Sequence, residues 1–599
     1  MAITLDDLRL RAMVRLRLLY GQARAEALWP RLAAMLAGYQ PRPACWAPAG
    51  RVSERDAVLI TYGDLLRRAG EPPLRTLQAM LRAYLADVIS AVHILPFYPY
   101  SSDDGFSVID YLQVDPALGD WEDVRRINAD FRLMFDLVIN HTSVHSAWFK
   151  GFLAGELPYR DFFITVDPAT DLSAVTRPRT TPLLTPFQTA RGEQYVWTTF
   201  SADQADLNFA SEEVLLAMLQ VLLEYVTRGA NLIRLDAIAY LWKEIGTSCI
   251  HLPQTHAVVK LIRDVLDYMA PDVLIITETN VPHDENISYF GDGTDEAQLV
   301  YQFSLPPLVL HSFHTGSAVA LTRWARTLRK ASDTTTFFNF TASHDGIGVR
   351  PATGLLSEEE IAALLELTVA RGGQVSYKTN SDGSRSPYEL NVTYVDAIID
   401  PAEPDPVQQA RRFVASQAIM LACQGVPGIY LHSLLGSRNW TAGVALTGRA
   451  RTINREKLDY ETVERELADP RTLRHQVFHR YCDLLRIRAG QAAFHPNGAQ
   501  EVLDLNPAVF AIRRTAPDGA ARIVALHNVS GASQAVVLQS ADLGGEGPAV
   551  LTDLVSRRSV HWEPAGIRLT LDAYQVMWLR VEREGATHLG HATLAPGPA

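Results

Sequence analysis

Several apolar runs in this sequence end abruptly in charged or imidazole side chains. The residues that end or follow these runs are Asp103, His141, Arg234, Asp236, Glu278, His344 and Asp345. A charge at the end of a buried strand must be paired or functional, because burying it alone costs several kcal/mol or more. Three carboxylates that meet at one place suit glycosidic-bond chemistry. One of them protonates the leaving oxygen and another attacks the anomeric carbon, with retention when the pair stands about 5–5.5 Å apart.

The local sequence suggests which carboxylate takes which role. Arg234 precedes Asp236 by two residues and therefore lies on the same face of a strand. Its positive charge would keep Asp236 ionised and nucleophilic. Glu278 follows the apolar run "VLIIT", so an apolar wall could raise its pKa and hold the proton that a general acid needs.

These residues require a scaffold that brings strand ends together. Short apolar runs alternate with helical patterns, at residues 57–64, 91–99, 132–141, 231–240, 272–280, 299–307, 335–345 and 425–431. Continuous apolar strands that alternate with helices indicate a parallel sheet covered on both faces. Eight of them predict an α/β fold with a closed (β/α)8 barrel, in which all carboxyl ends of the strands meet on one face. The alternative is that some of these charges merely form ion pairs that cap the barrel.

Uneven spacing predicts additions to this barrel. We expect a helical N-terminal extension over residues 1–52, the barrel over 53–490 and an antiparallel C-terminal β domain over 491–585. The long gaps after strands three and seven predict an insertion domain at 142–195 and an acceptor loop region at 371–400, since long insertions are usually functional. The tail at 586–599 is expected to be disordered.

Composition excludes several classes of function. The chain has 599 residues, 47% hydrophobic content and a net charge of -12, which argues against nucleic-acid or anionic-membrane partners. No apolar run is long enough to span a bilayer, and the N-terminus does not resemble a signal peptide, so we expect a cytoplasmic protein. His141 and His145 have metal-motif spacing, but no glutamate completes the motif, and we predict neither a metal nor a cofactor. The oligomeric state stays open, with a homodimer among the options.

The blocks "DLVINH", "IRLDAIAY", "IITE" and "FTASHDG" occur in this order at barrel spacing. Together they resemble the signature blocks of the α-amylase superfamily. The resemblance implies Asp236 as the nucleophile, Glu278 as the acid/base and Asp345 as the third, transition-state-stabilising carboxylate. The substrate-binding residues that it implies are His141, Arg234, Tyr240 and His344.

Within the superfamily, a second set of segments resembles the sucrose-phosphorylase-like branch over about residues 55 to 460. These segments include "HILPFYPYSSDDGFSVIDY", "RPRTTP", "FSLPPLVLHSF" and "GRARTINRE". The resemblance implies that Asp103 and Arg455 contact glucose. It also implies that Arg179 meets phosphate, a role that suits the bidentate guanidinium of arginine.

The acceptor region departs from the sucrose phosphorylases. Asn280 stands where they carry a histidine, and Ser386-Pro387-Tyr388-Glu389 replaces their Asp-Leu-Tyr-Gln loop. The segment "SYKTNSDGSRSPYELN" and the helical N-terminus instead resemble the phosphorylases of this branch that act on glucosylglycerate. That resemblance makes Lys378 and Arg385 candidate cations for a glycerate carboxylate, which Glu389 would repel unless it pairs with one of them. The alternative for both cations is a solvated surface loop.

The expected function is therefore a retaining glucoside phosphorylase, a glucosyl-transferring enzyme. It would use inorganic phosphate to release α-glucose 1-phosphate through a glucosyl-Asp236 intermediate, and glucosylglycerate is the expected α-glucoside. Phosphorolysis of sucrose or another α-glucoside is one alternative, and a hydrolase or transglucosidase with the same three carboxylates is another. A barrel retained only for binding is a third, which the presence of all three carboxylates disfavours.

Overall fold

Eight parallel strands close into a barrel in this computed structural model, which describes residues 3–45, 50–380, 382–545, 549–562 and 566–583. The strands are β1 (Val58–Thr61), β2 (Ala91–Ile94), β3 (Arg132–Leu137), β4 (Ala230–Leu235), β5 (Leu274–Thr277), β6 (Leu299–Tyr301), β7 (Thr336–Asn339) and β8 (Val426–Tyr430). Nearly every residue in them is buried, because side chains fill the barrel on one face and helices cover the other. The predicted barrel is confirmed.

The strands pair in the order of the chain, and β8 closes the barrel against β1. The register between β4 and β5 matters most for the site. Leu235 stands opposite Thr277, so the next residues, Asp236 and Glu278, leave their strands at the same level. Two carboxylates are thereby placed side by side at the carboxyl end of the barrel.

Helices surround the barrel. They are Pro73–Met80, Trp121–Asn128, Ala147–Ala154, Glu212–Thr227, Pro253–Met269, His283–Ile287, Leu305–Thr315, Val319–Ala325, Glu358–Ala370, Tyr394–Ile398, Pro406–Ala422, Leu431–Leu434, Thr441–Thr447, Tyr460–Ala468 and Leu473–Ala489. Two more, α1 (Leu5–Tyr20) and α2 (Gln22–Ala37), precede them. A capping box between Thr4 and Asp7 starts α1, and α1 packs against the helix Pro253–Met269.

Two additions cover the barrel mouth. Between β3 and β4, strand His141–Ser143 pairs with Gln204–Asp206, and Leu184–Thr189 forms a hairpin with Gly192–Trp197. Between β7 and β8, Gln374–Thr379 and Arg385–Asn391 form another hairpin, which Ile347–Gly348 extends to three strands. The region predicted as a loop at 371–400 therefore contains an ordered hairpin that brings Glu389 next to Gly348.

The C-terminal part is an antiparallel β structure. Its strands are β9 (Ala499–Asn506), β10 (Val509–Thr515), β11 (Arg522–Asn528), β12 (Gln534–Leu538), β13 (Ala549–Asp553), β14 (Ser559–Trp562), β15 (Ile567–Leu571) and β16 (Val576–Arg583). Six of them form one sheet, and β12 pairs with β15. The domain boundaries drawn from the sequence stay predictions, and the tail at 586–599 lies outside the described residues. Among the described residues, no helix combines the length and apolarity that crossing a membrane requires.

Candidate active site

Arg234 lies at the centre of a buried charge cluster below the barrel mouth. It is 2% exposed, and its Nη1 donates a hydrogen bond to Asp236 Oδ1 at 2.8 Å and another to Asp136. His93 Nε2 lies 2.6 Å from Asp136 Oδ2 on the far side. The contact between Arg234 and Asp236 is the one that their two-residue spacing leads us to expect. Asp136 and His93 were missed, although each is a polar residue inside an apolar strand, which was the signal that drew attention to Arg234.

Glu278 faces Asp236 across the gap between two strand ends. Its backbone N–H donates to Leu235 O at 3.2 Å, which carries the β4–β5 register one residue beyond the strands. The N–H of Ala237 donates to Glu278 Oε2 at 3.1 Å. Ala237 has a φ of 49°, a left-handed conformation that costs energy for a residue with a Cβ. The strained turn after Asp236 thus directs the N–H of Ala237 at the carboxylate of Glu278.

Burial raises the pKa of both carboxyl groups. For Asp236 it raises the pKa well above the usual range, Arg234 opposes the rise, and the nearby Glu278 adds to it. Burial likewise raises the pKa of Glu278, again against Arg234. The expectation that the charge of Arg234 keeps Asp236 ionised stays a prediction, because desolvation, which that expectation left out, acts against Arg234. Arg234 donates at 2.8 Å to Asp236 but is 3.9 Å from Glu278, so a proton shared by the pair belongs on Glu278.

Asp345 has the opposite electrostatic setting. Burial would raise its pKa, but the guanidinium groups of Arg451 and Arg455 hold the pKa below its usual range. Arg451 Nη1 is 2.7 Å from Asp345 Oδ1, and His344 Nε2 is 3.5 Å from Oδ2. The three carboxylates therefore differ, since two hold protons more tightly than usual and Asp345 stays ionised. Such separated pKa values are typical of acid/base sites.

Arg451 was not predicted. It belongs to the same "GRARTINRE" segment as Arg455, which the sequence favoured as the glucose contact. Arg455 instead donates to Asp104 Oδ2 at 2.6 Å and to His344 O at 2.8 Å, with Asp103 Oδ1 at 3.7 Å. It therefore supports the loop that carries Asp103 and does not line the cavity at the carboxylates, whereas Arg451 does line it.

That cavity brings most of the predicted residues together. The predicted residues that line it are Asp103, His141, Arg179, Arg234, Asp236, Tyr240, Glu278, Asn280, His344, Asp345, Tyr388 and Glu389. Among the residues that the structure describes, no group of three or more His, Cys, Asp or Glu side chains is arranged to hold a metal ion.

One end of the cavity is lined by stacked and hydrogen-bonded rings. Phe106 stacks on His344 with ring centroids 4.7 Å apart and planes at 5°. His141 Nε2 lies 3.0 Å from Phe106 O. Burial lowers the pKa of His141, and lowers that of His344 well below the usual range, so both rings are neutral hydrogen-bonding groups. Asp103, at a φ of 54°, lies at the rim of this end.

The other end is aromatic with a single guanidinium. Arg179 lies over the Tyr388 ring at 5.1 Å and over the Phe200 ring at 5.6 Å. Phe200 in turn meets Tyr240 edge-on at 5.6 Å. Arg179 donates to Pro178 O at 3.3 Å and has no carboxylate partner among the described residues. This end therefore presents an uncompensated positive charge.

Asn280 contributes a polar group to the cavity lining, two residues after Glu278. Its Oδ1 is buried without a hydrogen-bond partner among the described residues. A Cβ at Gly348 would come within 2.5 Å of that oxygen, so glycine is required there for Asn280 to keep its place. An unpaired buried acceptor is costly unless a ligand supplies the donor.

Lys378 and Arg385 do not line this cavity. Both lie on the hairpin between β7 and β8, where Lys378 pairs with Ser386 and Arg385 with Thr379 near the turn. Arg385 is exposed and Lys378 is half-buried. The expectation that they bring positive charge to the pocket is not met, because the predicted loop is a paired hairpin and neither side chain lines the cavity.

Comparison with known proteins identifies the family to which this chain belongs. Residues 82–377 match the model of the α-amylase catalytic domain. A glucosylglycerate phosphorylase of Spirochaeta thermophila is 52% identical over 95% of this chain and 98% of its own length. One of Escherichia coli K12 is 49% identical over 88% of this chain and 92% of its own. The chain belongs to the glucoside phosphorylase branch of the α-amylase family.

Other members of this branch are more distant. A sucrose phosphorylase of Agrobacterium vitis is 34% identical over 74% of this chain and 89% of its own length. The crystal structure of a sucrose 6F-phosphate phosphorylase from Thermoanaerobacter thermosaccharolyticum superposes with a TM-score of 0.69 at 24% identity. That superposition covers 87% of this chain and 98% of the other. This likeness supports the α-amylase fold.

Proposed function

We propose that this protein is a retaining phosphorylase that cleaves glucosylglycerate with inorganic phosphate and releases α-glucose 1-phosphate and glycerate. The observation that carries the proposal is the pairing of Asp236 and Glu278 at one level of the barrel, with Arg234 hydrogen-bonded to Asp236 and not to Glu278. Relatives 49–52% identical that are named glucosylglycerate phosphorylases support the choice of substrate.

In the first step, Asp236 attacks the anomeric carbon while Glu278 gives its proton to the departing glycerate oxygen. The bond between the anomeric carbon and that oxygen breaks as the ester to Asp236 forms. Positive charge develops on the sugar ring, and ionised Asp345, held by Arg451 at 2.7 Å, is the group that would stabilise it. Asp236 loses its negative charge as the ester forms, and its ionic contact with Arg234 weakens at that point.

In the second step, phosphate attacks the same carbon from the face that glycerate left. The ester bond to Asp236 breaks and the configuration is retained overall. Phosphate is already an anion and needs less help from a base than water does. Its remaining proton passes to Glu278, which restores the acid for the next turnover. Arg179, which lacks a carboxylate partner, is the residue that we propose to hold it.

The acceptor end of the site fits a small polar molecule. The free Oδ1 of Asn280 can accept a hydroxyl hydrogen bond. Burial raises the pKa of Tyr388 to about 12, so its phenol stays protonated and can donate. We propose both as contacts for the glycerate hydroxyl groups.

The first test runs the reaction in the direction of synthesis. The protein is incubated with α-glucose 1-phosphate and separately with glycerate, glycerol, fructose or fructose 6-phosphate, and phosphate release is followed. We expect glycerate to give the fastest release. Fast release without any acceptor would favour a hydrolase, and preference for a sugar would favour a transglucosidase or a sucrose phosphorylase.

We also propose that the enzyme works in the cytoplasm, where phosphate is abundant and the charged product is retained. Its recovery in a membrane or exported fraction after cell fractionation would contradict this. A homodimer stays a prediction, which the mass measured by light scattering checks.

A further inference from the structure

The positively charged side chains that line the cavity differ in whether they are paired with a carboxylate. Three guanidinium groups reach it, and two of them are already bonded to carboxylates. Arg234 donates hydrogen bonds to Asp136 and Asp236, and Arg451 forms ion pairs with Asp345 and Glu389. Neither can accept a further anion without giving up a buried partner, which is unfavourable.

Arg179 is the exception. Its guanidinium lies over the rings of Tyr388 and Phe200, at 5.1 and 5.6 Å, and no carboxylate of the described residues pairs with it. Aromatic faces hold a guanidinium in place without neutralising it. The forked donor set of Arg179 therefore remains free for a planar or tetrahedral oxyanion.

Resting on the proposed function, we infer that Arg179 is one anion site used in turn by both co-substrates. It binds the carboxylate of the glycerate moiety in the first half-reaction and inorganic phosphate in the second. The two anions never need the site together, because glycerate leaves before phosphate attacks the glucosyl-Asp236 ester. A single unpaired cation is sufficient for two anionic ligands.

The remaining charges disfavour a separate carboxylate site. Lys378 and Arg385 lie on the hairpin outside the cavity, and Glu389 is ionically paired within it. Asp103, Asp345 and Glu389 give the rest of the cavity a negative character. A glycerate carboxylate placed away from Arg179 would face these carboxylates, and Arg451, the cation beside two of them, is already engaged in their ion pairs.

The test uses α-glucosyl fluoride as the donor, so that the glucosyl enzyme forms without phosphate or glycerate. Transfer to glycerate, to glycerol, to phosphate and to water is measured for wild type, Arg179→Gln and Arg191→Gln. The last is a matched control, because Arg191 also lies over a phenyl ring, that of Phe152 at 5.9 Å, but is exposed and does not line the cavity.

For Arg179→Gln, we expect kcat/KM to fall by at least about tenfold for both glycerate and phosphate, since a charge-assisted contact carries one to two decades. The losses for glycerate and phosphate should exceed those for glycerol and water by about tenfold, and Arg191→Gln should resemble wild type in all four. A loss confined to phosphate would overturn the shared site and assign the carboxylate to another cation. Loss of all four would mean that Arg179 maintains the site as a whole. If wild type itself transfers to neither anion, the proposed function fails and not merely this inference.

Discussion

Arg451 donates two hydrogen bonds to Glu389, from Nη2 to Oε1 at 2.5 Å and from Nε to Oε2 at 3.0 Å. Glu389 is 2% exposed and lines the cavity, where its charge would otherwise repel an anionic acceptor. The sequence suggested Lys378 or Arg385 as the compensating cation. The structure gives that part to Arg451, which also bonds Asp345, so one guanidinium couples the acceptor side of the cavity to a proposed catalytic carboxylate.

The coupling predicts that Arg451→Gln weakens the preference for glycerate over glycerol. Glu389 would then carry an uncompensated charge beside the acceptor, and we expect the ratio of kcat/KM values to fall by about tenfold or more. Removing the second charge as well, in Arg451→Gln with Glu389→Gln, should restore much of the ratio. The double-mutant cycle measures this, and independent, additive effects of the two substitutions would contradict the coupling.

Asp236→Asn should reduce turnover to below a few per cent of wild type. An amide oxygen cannot form the glucosyl ester, while the nearly isosteric side chain should leave the fold intact. Initial rates of phosphorolysis and a circular dichroism spectrum check both parts. Substantial activity in a correctly folded variant would exclude Asp236 as the nucleophile.

Glu278→Gln should separate donors by their leaving groups. Glucosylglycerate needs a proton on its departing oxygen, so its rate should fall by about 10²–10⁴-fold. Fluoride leaves without one, so formation of the glucosyl enzyme from α-glucosyl fluoride should be nearly unchanged in single-turnover measurements. Equal losses with both donors would show that Glu278 is not the acid.

The raised pKa values predict the pH profile. Glu278 acts in its protonated form, so kcat/KM falls as pH rises through its pKa, and burial moves this limb above the ordinary range of glutamate. Asp236 acts in its ionised form, so activity also falls as pH drops through the raised pKa of that group. With α-glucosyl fluoride, the limb at high pH should disappear. Profiles with superimposable limbs for the two donors would contradict the assignment.

The fold and the catalytic centre were predictable for the same reason. Parallel strands read as continuous apolar runs, and their carboxyl ends must meet, so Asp236 and Glu278 could be brought together without coordinates. The rise in the pKa of Asp236 that burial causes could not be predicted from the sequence, because it depends on all the residues that pack around the carboxylate.

The acceptor end of the cavity was harder to predict from the sequence. Arg451 lies 106 positions after Asp345 in the sequence and outside any barrel strand, so no local periodicity links the two. Lys378 and Arg385 are candidate cations by resemblance, because the segment "SYKTNSDGSRSPYELN" resembles the phosphorylases that act on glucosylglycerate and is expected to be an acceptor loop. Its pairing as a hairpin, with a shift in register between Ser376 and Tyr377, decides where its side chains go. That is a property of strand pairing across the sheet and not of composition.

The most direct test of the account is phosphorolysis of glucosylglycerate followed by proton NMR, with and without inorganic phosphate. We predict that turnover requires phosphate, that glycerate and glucose 1-phosphate appear in equal amounts, and that the glucose 1-phosphate is the α-anomer. Release of free glucose at a rate independent of phosphate, or formation of the β-anomer, would contradict a retaining phosphorylase built on Asp236 and Glu278.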